Sequence, residues 1–137
     1  MKSKIKKVNV LENNKLIANF MGWKEWVSIF YGAGCNINPD IIPDAKNDHS
    51  NFCKSEDLLF HLSWNWLMPV IEKIEKKHDV CIWDACYIGF EGYSMDAKET
   101  PLVEVGRHES ASKIQMVWLA VVEFIKLKKG AENEKSN

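Results

Sequence analysis

Four cysteines, Cys35, Cys53, Cys81 and Cys86, are the side chains best suited to metal or redox chemistry, and 17, 27 and 4 residues separate them in turn. No C-x-x-C pair occurs, and C-x4-C alone lies at the loose edge of zinc spacing. A basic stretch, Met1 to Lys7, opens the chain with no apolar h-region behind it, so a secretory signal is not expected. The thiols are therefore expected to be reduced and partly buried. A metal site built from His49, Cys53 and His61 is conceivable because turn formers surround them, but the expectation is that no metal is bound and no cofactor is required.

Histidine near a helix start can serve as a general base when a carboxylate orients it. His61 with Ser63, and His108 with Glu109 and Ser110, hold such positions. Ordinary capping and packing accounts for both groups more simply. Asp84, between Trp83 and Ala85, would have a raised pKa if buried, whereas turn formation explains it without burial. The chain contains no G-x-x-x-x-G-K-S/T loop, G-x-G-x-x-G turn, H-E-x-x-H helix or G-x-S-x-G elbow. Common nucleotide and hydrolase chemistries lack their signatures, no catalytic residue is assigned, and the chain is not expected to be an enzyme.

Six tryptophans are a high number for 137 residues. Trp23, Trp26, Phe30, Tyr31, Trp64 and Trp66, together with His61, form the candidate binding set. Such rings can stack on bases or nucleotides. Alternatively they act as a hydrophobic staple joining a loop to the core. Eighteen Lys and Arg against nineteen Asp and Glu leave a net charge of −1, and Arg107 is the one arginine. With no basic field and almost no guanidinium forks, nucleic-acid binding is not expected. No apolar run reaches the roughly 18 residues that would span a bilayer, so no membrane association is expected and the chain reads as cytoplasmic.

These residues must be positioned by one α+β domain over residues 9–130, flanked by a mobile basic tail at 1–8 and a fraying polar tail at 131–137. Asn9 to Met21 carries an imperfect helical stripe, and Gly22 suits the left-handed position past its end, with Trp23 folding back onto Ile17 or Ala18. Trp26 to Tyr31 favours a short strand or an extended connection. Residues 32–54 are turn formers throughout and predict a long loop that acts as an insertion or a lid.

Ser63 predicts the N-cap of a helix from Trp64 to about Lys77, with Pro69 breaking one of its bonds and kinking it near Asn65. Val80–Trp83, Cys86–Phe90, Tyr93–Met95 and Leu102–Val105 read as strands of one small, mainly antiparallel sheet. A tight turn is expected at Glu91-Gly92 and a turn or bulge at Asp84-Ala85. Ser112 and Gln115 form a capping box for the last helix, which is expected to end at Gly130. Its body, Met116 to Val122, is apolar on nearly every side and demands cover from the sheet and from a further helix or a second protomer.

The run Asn14-Lys15-Leu16-Ile17-Ala18-Asn19-Phe20-Met21-Gly22-Trp23, the run Ser63 to Ile74 and the Ala-Val-Val-Glu-rich last helix follow one another in a pattern. That pattern resembles the small phage and prophage proteins of the phage ABA-sandwich type. The loop at 32–54 is not shared, and Pro69 departs from the usual helical middle. The resemblance implies an α/β/α-layered domain of phage or prophage origin, with no catalytic residues to carry over. The resulting expectation is a noncatalytic accessory protein that binds a host or phage protein, or itself as a homo-oligomer, through exposed apolar parts of the last helix or the aromatic loop. The alternative is a small-molecule or nucleotide binder that sequesters a defence signal, with the aromatic loop as its lid.

Overall fold

The computed structural model describes residues 9–30, 32–37, 52–91, 100–109 and 112–136. Its fold is α+β, with three helices and two antiparallel three-stranded sheets. The chain divides into two compact units, Met1–Pro69 and Val70–Asn137.

The first unit begins with α1, Val10–Phe20. The Asn9 side chain caps it by accepting from the Glu12 N–H at 3.0 Å, which satisfies one of the donors a helix start leaves orphaned. The helix stops where the sequence predicts. Gly22 has φ +90°, its N–H donates to the Asn19 carbonyl, and the Trp23 N–H donates to the Ala18 carbonyl, both at 3.0 Å. This pair of bonds is the Schellman arrangement, and it turns the Trp23 ring back into the core.

Strands β1 (Glu25–Ser28), β2 (Gly32–Asn36) and β3 (Phe52–Lys54) follow, in the spatial order β1-β2-β3. Two strands therefore lie inside the stretch that reads as loop, and residues 38–51 are outside the described residues. The sequence hides β2 because Gly32, Ala33, Gly34 and Asn36 have little intrinsic strand preference. Cover from neighbouring rings supplies what propensity does not. Gly34 pairs with Trp26 and with Lys54, and a Cβ at Gly34 would strike the Phe52 ring and the Cys53 carbonyl. Glycine is required there by close approach, not by a turn.

A 3-10 turn at Ser55–Asp57 leads towards α2, Trp64–Glu75, within which the division between the units falls. The Ser63 carbonyl accepts from the N–H groups of Trp66 and Leu67, starting the helix where the sequence places it. The helix continues through Pro69 and ends slightly before Lys77.

In the second unit, β4 (His78–Ile82), β5 (Ala85–Glu91) and β6 (Val103–Gly106) form the other sheet in the order β4-β5-β6. The tight turn falls at Trp83-Asp84, where the Trp83 N–H donates to the Ala85 carbonyl at 2.9 Å. Glu91 is the last residue of β5 and pairs with His78, while Gly92, the second residue of the turn expected at Glu91-Gly92, lies outside the described residues. The register slips between His78 and Val80, one residue pair from the strand end. Tyr93–Met95 lies outside the described residues.

The last helix, α3 (Lys113–Ser136), starts with the Ser112 hydroxyl accepting from the Gln115 N–H at 3.2 Å. It passes Gly130, which corrects the helix end expected there, and runs to Ser136. Ala, Glu and Lys after Gly130 are good helix formers, and one interior glycine weakens a helix by ~1 kcal/mol without having to end it. α3 packs on β5 and β6. Met116, Val117, Trp118, Ala120, Val121, Val122, Phe124 and Ile125 are all buried, so the chain itself covers this helix on more than one side.

Candidate functional site

The aromatic set separates into two groups. Trp23, Phe60 and Trp66 are buried and pack mutually: Trp23 lies 5.7 Å from Phe60 and 6.4 Å from Trp66, and Phe60 meets Trp66 edge-on at 5.2 Å. Offset and edge-to-face contacts of this kind satisfy the ring quadrupoles and leave no faces open to a ligand. Trp23 and Trp66 are thus core residues of the first unit. Trp64 begins α2 and is exposed, on the opposite side of the helix from buried Trp66. Tyr31 and His49 lie outside the described residues.

Trp26 and Phe30 belong to the second group, on the β1–β2 hairpin. Trp26 is 41% exposed, Val27 72%, Ile29 90% and Phe30 82%. Four large apolar side chains within five residues thereby face solvent, whereas isolated exposed apolar residues are ordinary on any surface. Ile29 and Val27 join the candidate surface only with the structure in hand. Their sequence signal was a β-branched run without alternation, which reads equally as a buried strand.

The sequence builds this tip with three devices. Buried Ser28 accepts from the Phe30 N–H through Oγ at 3.1 Å, a local side-chain bond that tightens the turn. Gly32 supplies φ +87° where the chain re-enters the sheet. Trp26 is held in place from behind, its ring edge-on to Phe52 at 4.6 Å and its Nε1–H donating to the Asn36 Oδ1 at 3.3 Å. At the other end of β1, Lys15 Nζ stands 3.4 Å from a Glu25 carboxylate oxygen, joining the strand to α1.

His61 takes a structural position. Its Nδ1 is 2.9 Å from the Asn14 Nδ2, and the same Nδ2 donates to the Leu58 carbonyl at 3.0 Å. The amide orientation is fixed by that carbonyl, so Nδ1 of His61 accepts and the ring is neutral, with burial holding its pKa below the usual 6.5. Asp84 is exposed in its turn, and its carbonyl accepts from the Arg107 N–H at 2.9 Å. His108 is exposed in the 3-10 turn Arg107–Glu109.

The four thiols are free, with Cys35, Cys53 and Cys86 buried. Desolvation raises the pKa of Cys35 to about 11, and those of Cys53 and Cys86 to about 12. Among the described residues no three His, Cys, Asp or Glu side chains are grouped to hold a metal ion. Among the described residues no helix is long and apolar enough to cross a membrane. The chain matches no family model, no curated protein and no solved structure. The α+β fold and the apolar hairpin tip are what define this protein.

Proposed function

We propose that this chain is a noncatalytic binding protein that engages a partner protein through the tip of the β1–β2 hairpin, as an accessory protein of phage or prophage origin. The observation that carries the reading is the exposure of Ile29 and Phe30, 90% and 82%, at the end of a hairpin whose base is anchored by Trp26 and Phe52. Anchoring of the base by Trp26 reduces the backbone ordering that binding at the tip would otherwise cost. Aromatic and aliphatic anchors are also the side chains that dominate interface energies. The last helix is a weaker candidate for the contact, because its large apolar residues are buried apart from Leu127 and half-covered positions.

A stacking pocket for a nucleotide has less support, since Trp23 and Trp66 spend their faces on Phe60 and on each other. The test is capture from bacterial host lysate by the wild-type chain and by an Ile29→Asp/Phe30→Asp variant, with light scattering of each. The reading expects a protein recovered by the wild type and lost by the variant, while the variant's melting midpoint stays within a few degrees. Equal recovery by both would overturn it, and self-association abolished by the variant would make the partner a second copy.

A further inference from the structure

Cys35 and Cys53 are directly opposed across the antiparallel pair β2–β3. Opposed residues project from the same face of a sheet, with Cα atoms about 5.5 Å apart at a hydrogen-bonded site and about 4.5 Å apart at the other kind. Either separation lies within the roughly 4.4–6.8 Å that a disulfide bridges. Both thiols are free and buried on that shared face.

The other two cysteines differ in this respect. Cys81 is opposed to Tyr87 and Cys86 to Ile82, so Cys81 and Cys86 sit one register step apart and project from opposite faces of their sheet. Closeness in sequence would favour this second pair, with 4 intervening residues against 17, but the register favours the first.

We propose that Cys35 and Cys53 are a redox-active dithiol, which a small-molecule disulfide of the glutathione type converts to an intrachain bridge fastening β3 to β2. One cysteine, as its thiolate, attacks a sulfur of the oxidant, forming a mixed disulfide and releasing one reduced oxidant thiol. The second cysteine, deprotonated in turn, attacks the protein sulfur of the mixed disulfide, forming the S–S bond and releasing the second reduced thiol. Two protein thiols are oxidised, one oxidant disulfide is reduced to two thiols, and the two protons lost by the protein are taken up by the released thiolates.

Burial sets the rate. A thiol with pKa near 11 or 12 is almost wholly protonated at neutral pH, so exchange waits on local opening. The strand that must open is β3, three residues long and at the edge of its sheet, which is the kind of element that separates without global unfolding. The pair is accordingly slow to oxidise, and once closed it is slow to reduce.

The experiment equilibrates the full chain at about pH 8, where thiolate exchange is accessible, with glutathione of increasing oxidised share, then quenches, alkylates and maps the peptides without reduction. Alkylatable thiols are expected to fall from four to two, with a Cys35–Cys53 linked peptide and an intact mass lower by two hydrogens. A Cys81→Ser/Cys86→Ala variant should lose both remaining thiols in the same way, and Cys35→Ser should stop at a mixed disulfide. Four alkylated thiols at the most oxidising ratio, a bridge that includes Cys81 or Cys86, or a disulfide-linked dimer would each overturn the proposal. The double variant keeps the test decisive even where Cys35→Ser fails to fold.

Discussion

Asn14 on α1 and His61 in the turn before α2 meet at 2.9 Å, amide nitrogen to Nδ1, although 46 residues lie between them in the chain. Asn14 is buried, and its two N–H groups are divided between the Leu58 carbonyl and His61. One amide therefore ties α1 to the turn that carries Phe60 into the aromatic core. Asn14→Leu would remove the donor to a buried carbonyl while keeping the volume. The expected loss is about 1–3 kcal/mol, the cost of an unsatisfied buried acceptor, read as a lower urea midpoint with an unchanged slope.

That contact makes stability depend on pH in one direction. Because burial lowers the folded-state pKa of His61 below its ordinary 6.5, the folded chain binds fewer protons there than the unfolded chain does. The contribution is complete above the unfolded value, declines as pH falls below 6.5, and is lost once pH has passed through the folded value. Protonation of Nδ1 would also set an N–H against the amide of Asn14. His61→Gln supplies an acceptor that does not titrate. Between about pH 7 and about pH 5 the wild type should lose more of its melting midpoint than this variant. Parallel losses would contradict the assignment.

Gly34 predicts a steric effect. Its missing Cβ makes room for the Phe52 ring and the Cys53 carbonyl, so Gly34→Ala should cost about 1–3 kcal/mol by overpacking. Adding Phe52→Leu to Gly34→Ala relieves the ring contact and leaves the carbonyl contact. Thermal denaturation of the double variant should show a cost below the sum of the two single ones.

Gly22 and Gly130 should respond in opposite senses, although a Cβ would meet nothing within 4 Å at either. Gly22 sits at φ +90°, where an L side chain is strained, so Gly22→Ala should lower stability by roughly 1 kcal/mol. Gly130 lies within α3, and alanine there should raise stability by up to ~1 kcal/mol. A loss at Gly130 would mean that the helix ends at this residue after all.

Much of the fold was legible because local signals agreed with their tertiary setting. Asn9, Gly22, Ser63 and Ser112 mark helix ends by rules that act within a few residues, and the extended runs around Ile82, Ile88 and Val105 are strands. β2 was illegible because its stability comes from Trp26 and Phe52, one of them 18 residues away from Gly34 in the chain. Gly130 misled because a glycine after lysines reads as a cap unless the residues beyond it also favour helix. Of the candidate site, the sequence groups Trp26 and Phe30 with the rings beside the loop, and both are exposed on the β1–β2 hairpin. Nothing in the sequence separated them from Trp23 and Trp66, since burial of a tryptophan depends on contacts such as that of Phe60 and not on its own neighbours in the chain.

The central claim is that the hairpin tip is a contact surface for a partner and not a packed part of the fold. Comparing partner capture and melting midpoint for the wild type and the Ile29→Asp/Phe30→Asp variant tests it most directly. The account predicts at least a ~10-fold loss of capture, equivalent to about 1.4 kcal/mol, with the fold intact. Unaltered capture, or a chain that no longer folds because those two side chains are needed inside it, would contradict it.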